Sequence, residues 1–290
     1  MAYSYDLSDR SLARGSRRIA LELARRALAH IETPSLPQAE AVHEIRKSVK
    51  KLRALLRLIR PGLTDHAGLD ATLRDAARQV SALRDATVLL HTLEALAPGG
   101  LPTLRAALEA APQRAPETAA AALAACRADL ARAEQALSDL DLAGHDTTVL
   151  EAGLGRSLRQ AQAALHQVLH APADGAEALH EFRKRVKDHL YHSRLLTPLW
   201  PALLAPHAEA AETLAEALGL INDIAVFTAA LAPLDLPEAE RVEALARAAV
   251  RHDQLMLTAL PLAARLFAGR PADLAERWSA LWSIWRAEAG

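Results

Sequence analysis

Two stretches of this chain, VHEIRKSVKKLRALLRLIRP (42–61) and LHEFRKRVKDHLYHSRLLTP (179–198), follow one pattern at a constant offset. His43 aligns with His180, Arg46-Lys47 with Arg183-Lys184, Lys50 with Lys187 and Arg57 with Arg194, and both stretches close on a proline. Each is followed by a segment carrying a short acidic motif, SALRDATVLL (81–90) and LGLINDIAVF (218–227), in which Asp85 matches Asp223. The preceding segments correspond more loosely, with Arg14 and Arg17 over Arg156 and Arg159. The chain therefore reads as one unit used twice, over about 8–142 and 149–290 of a single 1–290 domain. Two such units commonly pack about a pseudo-twofold axis, which brings their matched surfaces to a shared centre.

The repeated unit is helical. Half the residues are apolar, Ala and Leu dominate, and aromatics make up only 3%. That mix suits closely packed helices, and no long Val/Ile/Thr-rich alternation argues for strands. Prolines and glycines punctuate amphipathic segments. Helices are expected at about 8–31, 38–60, 66–96, 102–111, 116–141, 149–170, 175–199, 206–232, 237–255 and 257–288. Ser8-Asp9 and Thr64-Asp65 are the expected N-caps, and the last helix should bend at Pro261 or break near Gly269. The fold class is all-α. No stretch reaches about 18 uninterrupted apolar residues, so no membrane partner is expected. The first eighteen residues lack an apolar signal core. Cys126 is the single cysteine, which rules out an internal disulfide and fits a reducing cytoplasm.

The net charge of −1 shows no overall bias towards a polyanion, so the distribution of charge has to decide. On a helix over 42–60, His43, Arg46, Lys47, Lys50 and Arg57 share one face, opposite Ile45, Val49, Leu52, Leu56 and Ile59. The second copy repeats this, with His180, Arg183, Lys184, Lys187 and Arg194 opposite Phe182, Val186 and Leu196. From His43 to Arg57 the stripe spans about 21 Å, too long for one phosphate and suited to a linear chain of charges. Arg offers a rigid fork of donors for phosphate oxygens, and Lys adds mobile point charges. A basic helix face is usually just solvated surface. Here Glu44 is the only acid within 42–60, so acidic neighbours on the same helix do not neutralise the stripe, and the same cost recurs in the second copy. Arg14, Arg17 and Arg18, with Arg156 and Arg159 as weaker counterparts, form a secondary candidate site. Asp85 and Asp223 read as carboxylates that orient a neighbouring cation rather than as catalytic acids.

Several chemistries are excluded or left weak. HEIRK and HEFRK lack the second histidine of a zinc-protease helix, because Lys47 and Lys184 stand there. His189 with His192, and His166 with His170, have no carboxylate or cysteine to complete a metal set. No Gly-rich phosphate loop or nucleophile elbow occurs. Trp278, Trp282 and Trp285 are spaced as one helix face and read as core.

The paired, ordered basic helices resemble those of the CHAD family, the conserved histidine α-helical domain, over about Leu12 to Trp285. The resemblance implies two related helical bundles with pseudo-twofold symmetry around a basic central cavity that binds inorganic polyphosphate. It also implies association with polyphosphate granules in bacteria. The family's motif falls on His43, Arg46, Lys50, Lys51 and Arg53 in the first copy and on His180, Arg183, Lys184 and Lys187 in the second. The second copy departs from the pattern at Leu190, where relatives often carry arginine, and at Asp188, which stands where the first copy has Lys51. Many relatives carry a triphosphate-processing domain ahead of this one. Nothing of that kind precedes residue 8, so no hydrolytic activity is expected.

The expected function is non-catalytic binding of polyphosphate, with no cofactor and no metal. Three alternatives stay open at this point. A nucleic-acid binder would use the same charges but want aromatic stacking platforms, of which the stripes offer only Tyr191. A phosphate-transferring or hydrolysing enzyme would use His43 or His180. A histidine metal site is the third.

Overall fold

The computed structural model describes residues 3–33, 35–83, 85–110, 116–170 and 175–288, leaving aside the side chains of 82, 85–87 and 116. Among the described residues there are eleven α-helices and no strand. They are α1 (Leu12–Glu32), α2 (Gln38–Ile59), α3 (His66–Gln79), α4 (Asp85–Leu96), α5 (Pro102–Glu109) and α6 (Pro116–Ser138). The second half holds α7 (Asp146–His170), α8 (Ala176–Leu196), α9 (Pro201–Leu231), α10 (Glu238–Leu266) and α11 (Pro271–Ala287).

The order of elements repeats. A helix (α1, α7) leads into a basic helix (α2, α8) that closes in a proline-containing 3-10 turn, Arg60–Gly62 or Thr197–Leu199. Proline sets this boundary because it fixes φ and cannot donate to the preceding turn. The third element differs between the copies. In the second it is one long helix, α9. In the first it is interrupted by a 3-10 turn at Ser81–Leu83, which splits the expected 66–96 helix into α3 and α4. Val80 leaves helical geometry at φ −97°, ψ 0°, and Ser81 turns its hydroxyl back onto the Ala77 carbonyl at 2.8 Å. Serine competes for backbone groups in this way and weakens a helix interior.

Other boundaries also move. The helix break expected at 256 does not occur. Instead α10 runs through Pro261 to Leu266, and the chain turns at Gly269, which has φ +80°. α9 begins at Pro201, where the missing N–H would be unpaired anyway, and also carries Pro206 in its second turn, which removes one intrahelical donor. Asp65 caps α3 as expected, accepting from Gly68 N at 2.8 Å. Ser11 rather than Ser8 caps α1, accepting from Arg14 N, while Asp6 caps a separate 3-10 turn at Leu7–Asp9.

Helices of one copy pack on one another and on the other copy. α1 lies along α2 and α6, α7 along α8 and α11, and α9 between α8 and α10, with α4 against α9. α9 is long and apolar enough to cross a membrane by length and composition, yet it presents Ala211, Leu214, Leu218 and Ile221 to the core shared with α8 and α10. The main core mixes the halves, joining Ile45, Val49 and Leu56 of α2 to Leu150 and Leu154 of α7 and to Trp278, Trp282 and Trp285 of α11. At Gly153 α7 touches the backbone of α2. A Cβ there would lie 1.7 Å from the Leu58 carbonyl oxygen, so only glycine permits the approach. That packing fixes α2 beside α8, with their apolar faces buried and their basic faces turned to each other.

Candidate functional site

The two basic faces open onto one cavity of about 700 Å³. α2 contributes Arg46, Lys50, Arg53 and Arg57. α8 contributes His180, Arg183, Lys184, Arg185, Lys187, Asp188 and Tyr191. α3 adds Arg74 and Arg78, the turn after it adds Ser81, and α9 adds Asn222 and Asp223. Ten arginine or lysine side chains thus line the cavity against two carboxylates.

Several of these cations are held by acids from other helices, which no pattern within one helix reveals. Asp70 of α3 accepts from Arg53 Nε and Nη2 at 2.8 and 3.0 Å. Asp188 accepts from Arg57 at 2.7 Å and lies 3.7 Å from Arg185. Within α8 itself, Lys184 and Arg185 pair with Glu181, three and four residues earlier, so in the second copy an acid on the same helix does compensate part of the stripe. The expectation of an uncompensated stripe therefore fails for Arg57 and Lys184, as it does for Lys47 and Arg194, and Arg53 of the family motif is paired as well. A guanidinium carries five N–H donors, so Arg53 and Arg57 keep donors beyond those their carboxylates take.

The remaining cavity cations sit differently. Arg46 donates from Nη1 to Ser81 Oγ at 2.7 Å, which aims it across the turn between α3 and α4. Burial first, and the neighbouring Arg183 next, pull the Lys187 pKa below the ordinary lysine value, although Glu216 acts in the opposite sense. His180 Nδ1 lies 3.1 Å from Asn222 Oδ1, and that amide oxygen can only accept, so Nδ1 carries the proton in this contact.

Other expected site residues lie elsewhere. Lys47 pairs with Glu44 at 3.1 Å, and His43 is exposed on the same turn. Lys51 is not among the residues that line the cavity; its Nζ lies 4.9 Å from the centre of the Tyr3 ring, and burial lowers its pKa. Arg194 pairs with Glu212. Arg18 is committed to Asp9 by two 2.7 Å bonds and also donates to Ser4 O, while Arg17 Nε donates to Leu140 O at 2.8 Å. These two arginines tie down chain segments and do not approach the cavity. Arg14 and Arg159 are exposed away from it, and Arg156 lines a separate, smaller cavity. Asp223 lines the main cavity alongside its cations. Arg84 and the Asp85 side chain fall outside the described residues.

Arg74, Arg78 and Arg185 also line the cavity, outside the repeated stripe. Arg74 and Arg78 are four apart and share a face of α3, a signal visible in the sequence. Arg185 replaces Ser48 of the first copy, so matching the copies hides it.

The profile of the CHAD domain matches residues 18–232, most of the chain. The chain belongs to the CHAD domain family. The crystal structure of the CHAD domain from the plant Ricinus communis is similar over 97% of this chain and 93% of that one, with 18% identity and a TM-score of 0.54. At that identity the likeness bears on the fold. No curated protein matches the chain.

In this CHAD domain the histidines at the end of α8 are structural. His192 Nε2 lies 2.8 Å from the Ala54 carbonyl of α2, and His189 Nε2 lies 2.8 Å from His207 Nε2. His189 also packs on Phe267 and Trp278. Among the described residues no group of three or more His, Cys, Asp or Glu is placed to hold a metal ion. At the back of the cavity Tyr191 meets Tyr3 edge to face at 6.0 Å, and Tyr3 donates from its hydroxyl to Lys51 O. The N-terminal segment thereby straps α2 to α8.

Proposed function

We propose that this CHAD domain binds inorganic polyphosphate, without chemical turnover, in the cavity between α2 and α8. The observation that carries the reading is the meeting of two repeated basic helix faces in one cavity with ten cations against two carboxylates. From Arg46 to Arg57 the α2 wall runs eleven residues, about 16 Å, so it matches a row of phosphates better than a single one. The mixture of arginine forks and mobile lysines suits a ligand whose charge repeats without side-chain identity. Binding of this kind releases counterions and weakens steeply with salt, by analogy with nucleic-acid binders. Residence in the cytoplasm and recruitment to polyphosphate granules belong to the same proposal.

The geometry favours polyphosphate over single-stranded nucleic acid. Tyr191, the aromatic residue lining the cavity, is 6% exposed and packed against Tyr3, so it offers little ring face for a base to stack on. A catalytic reading also gains little support. His180 contacts an amide rather than a carboxylate, and Asp188 is already bonded to Arg57. The test is competition for labelled polyphosphate by unlabelled polyphosphate and by single-stranded RNA of matched charge, with the chain length of the bound ligand followed alongside. Displacement by polyphosphate at far lower concentration, with chain length unchanged in the presence of Mg²⁺, supports the reading. Equal competition by RNA, or chain shortening, contradicts it.

A further inference from the structure

Behind the main cavity lies a second one of about 210 Å³, between the end of α2, the start of α3 and the faces of α7 and α8. Water occupies about 30 Å³ per molecule in the liquid, so this volume holds roughly seven waters, or one small ion with part of its hydration shell. Arg57, Arg60, Arg156 and Arg185 line it, against the single carboxylate Asp70. Asp70 is already committed bidentately to Arg53, which belongs to the larger cavity. Arg60 and Arg156 are exposed, and they come from different elements, the 3-10 turn after α2 and the middle of α7. His66, the first residue of α3, lines the same space, and its Nε2 is buried with no hydrogen-bond partner among the described residues. Leaving a buried ring nitrogen unsatisfied costs about 1–3 kcal/mol unless a ligand or water meets it. Arg57 and Arg185 line both cavities and form the wall between them.

We propose that this smaller cavity is a separate site for one tetrahedral oxyanion, a single phosphate group, gripped by Arg60 and Arg156 and met by His66 Nε2. It is less than a third the size of the larger cavity, and its four arginines converge from three helices and a turn rather than along one line. The inference stands whatever fills the larger cavity. The phosphate has two possible sources, free orthophosphate or the end of a short phosphate chain.

The test titrates inorganic orthophosphate and, separately, tripolyphosphate into the wild-type protein and into the double variant Arg60→Ala, Arg156→Ala, using calorimetry and ³¹P NMR. Both arginines are exposed, so the variant should keep its helical circular dichroism and melting temperature. Orthophosphate binding to wild type that weakens at least about tenfold in the variant supports the site and assigns it to free phosphate. No orthophosphate binding, but a similar loss for tripolyphosphate, supports the site and assigns it to a chain end. A second double variant, Lys50→Ala with Lys187→Ala, should change orthophosphate affinity by less than about twofold, because it alters only the larger cavity. Equal binding of both probes by wild type and the arginine variant overturns the proposal. So does loss of orthophosphate binding in the lysine variant alone.

Discussion

Arg57 Nη1 donates to Asp188 Oδ1 at 2.7 Å, joining the basic helix of the first repeat to that of the second. Asp188 occupies the position that Lys51 holds in the first copy. The two copies therefore differ at this position: Lys51 lies near Arg194, whereas its counterpart Asp188 bonds Arg57, the counterpart of Arg194. The substitution does more than reduce charge. It supplies a carboxylate, 4% exposed, that bonds Arg57 and lies near Arg185 at the wall shared by the two cavities.

Asp188→Asn tests that role. Removing one partner of a buried ion pair leaves the other uncompensated, and the typical cost is about 3–5 kcal/mol. Because Arg57 keeps a second acid, Asp70, at 3.5 Å, the expected loss lies towards the lower end. Urea unfolding measures it. Polyphosphate affinity should hold or rise, since the variant removes one negative charge from the wall. An unchanged unfolding midpoint would show that the bond does not hold α2 to α8.

The contact at Gly153 gives a second prediction. Any side chain there meets the Leu58 carbonyl, which is backbone and cannot swing aside. Gly153→Ala should therefore lower stability by about 3 kcal/mol or more, despite alanine's better helix propensity. Gly219 has open space around its Cβ position, so Gly219→Ala should stabilise by roughly 0.5–1 kcal/mol. Thermal melts of the two variants should move in opposite directions.

The buried histidines predict a pH dependence of stability. Burial lowers the pKa of His189 well below its ordinary value, helped by His207 and His192, and burial also lowers those of His192 and His207. The folded pKa values lie below the unfolded value of about 6.5, so the unfolded chain binds protons first as pH falls. Stability is then fully present above about pH 6.5 and is lost as the pH drops below it. Melting temperatures measured between pH 7.5 and 5 should fall on acidification, and His189→Gln should flatten the decline while keeping a polar partner for His207. A decline of the same slope in the variant would remove His189 from the explanation.

Much of this architecture was legible in the sequence because helical periodicity and proline punctuation are local signals. The repeat at 42–61 and 179–198 located the helices whose faces meet, and the stripe at Arg46, Lys50, Arg183 and Lys187 lies on the cavity. What stayed hidden depends on partners distant along the chain. Arg17 and Arg18 look like a basic face until Leu140 O and Asp9 appear beside them. Arg53 and Arg57 look uncompensated until α3 and α8 bring Asp70 and Asp188 to them. The split between α3 and α4 turns on Ser81, whose hydroxyl bonds both Ala77 O and Arg46, a pairing no propensity scale contains.

Charge reversal in the cavity between α2 and α8 is the most direct test of polyphosphate binding there. Polyphosphate affinity should be measured for Lys50→Glu with Lys187→Glu, and for a control of equal charge change on the outer surface, Arg251→Glu with Arg277→Glu. Reversing two cavity charges should weaken binding by about a hundredfold or more and flatten the salt dependence, while the control stays within roughly threefold. Equal losses in the two variants would mean that the ligand senses only net charge, and wild-type affinity in the cavity variant would place the site elsewhere.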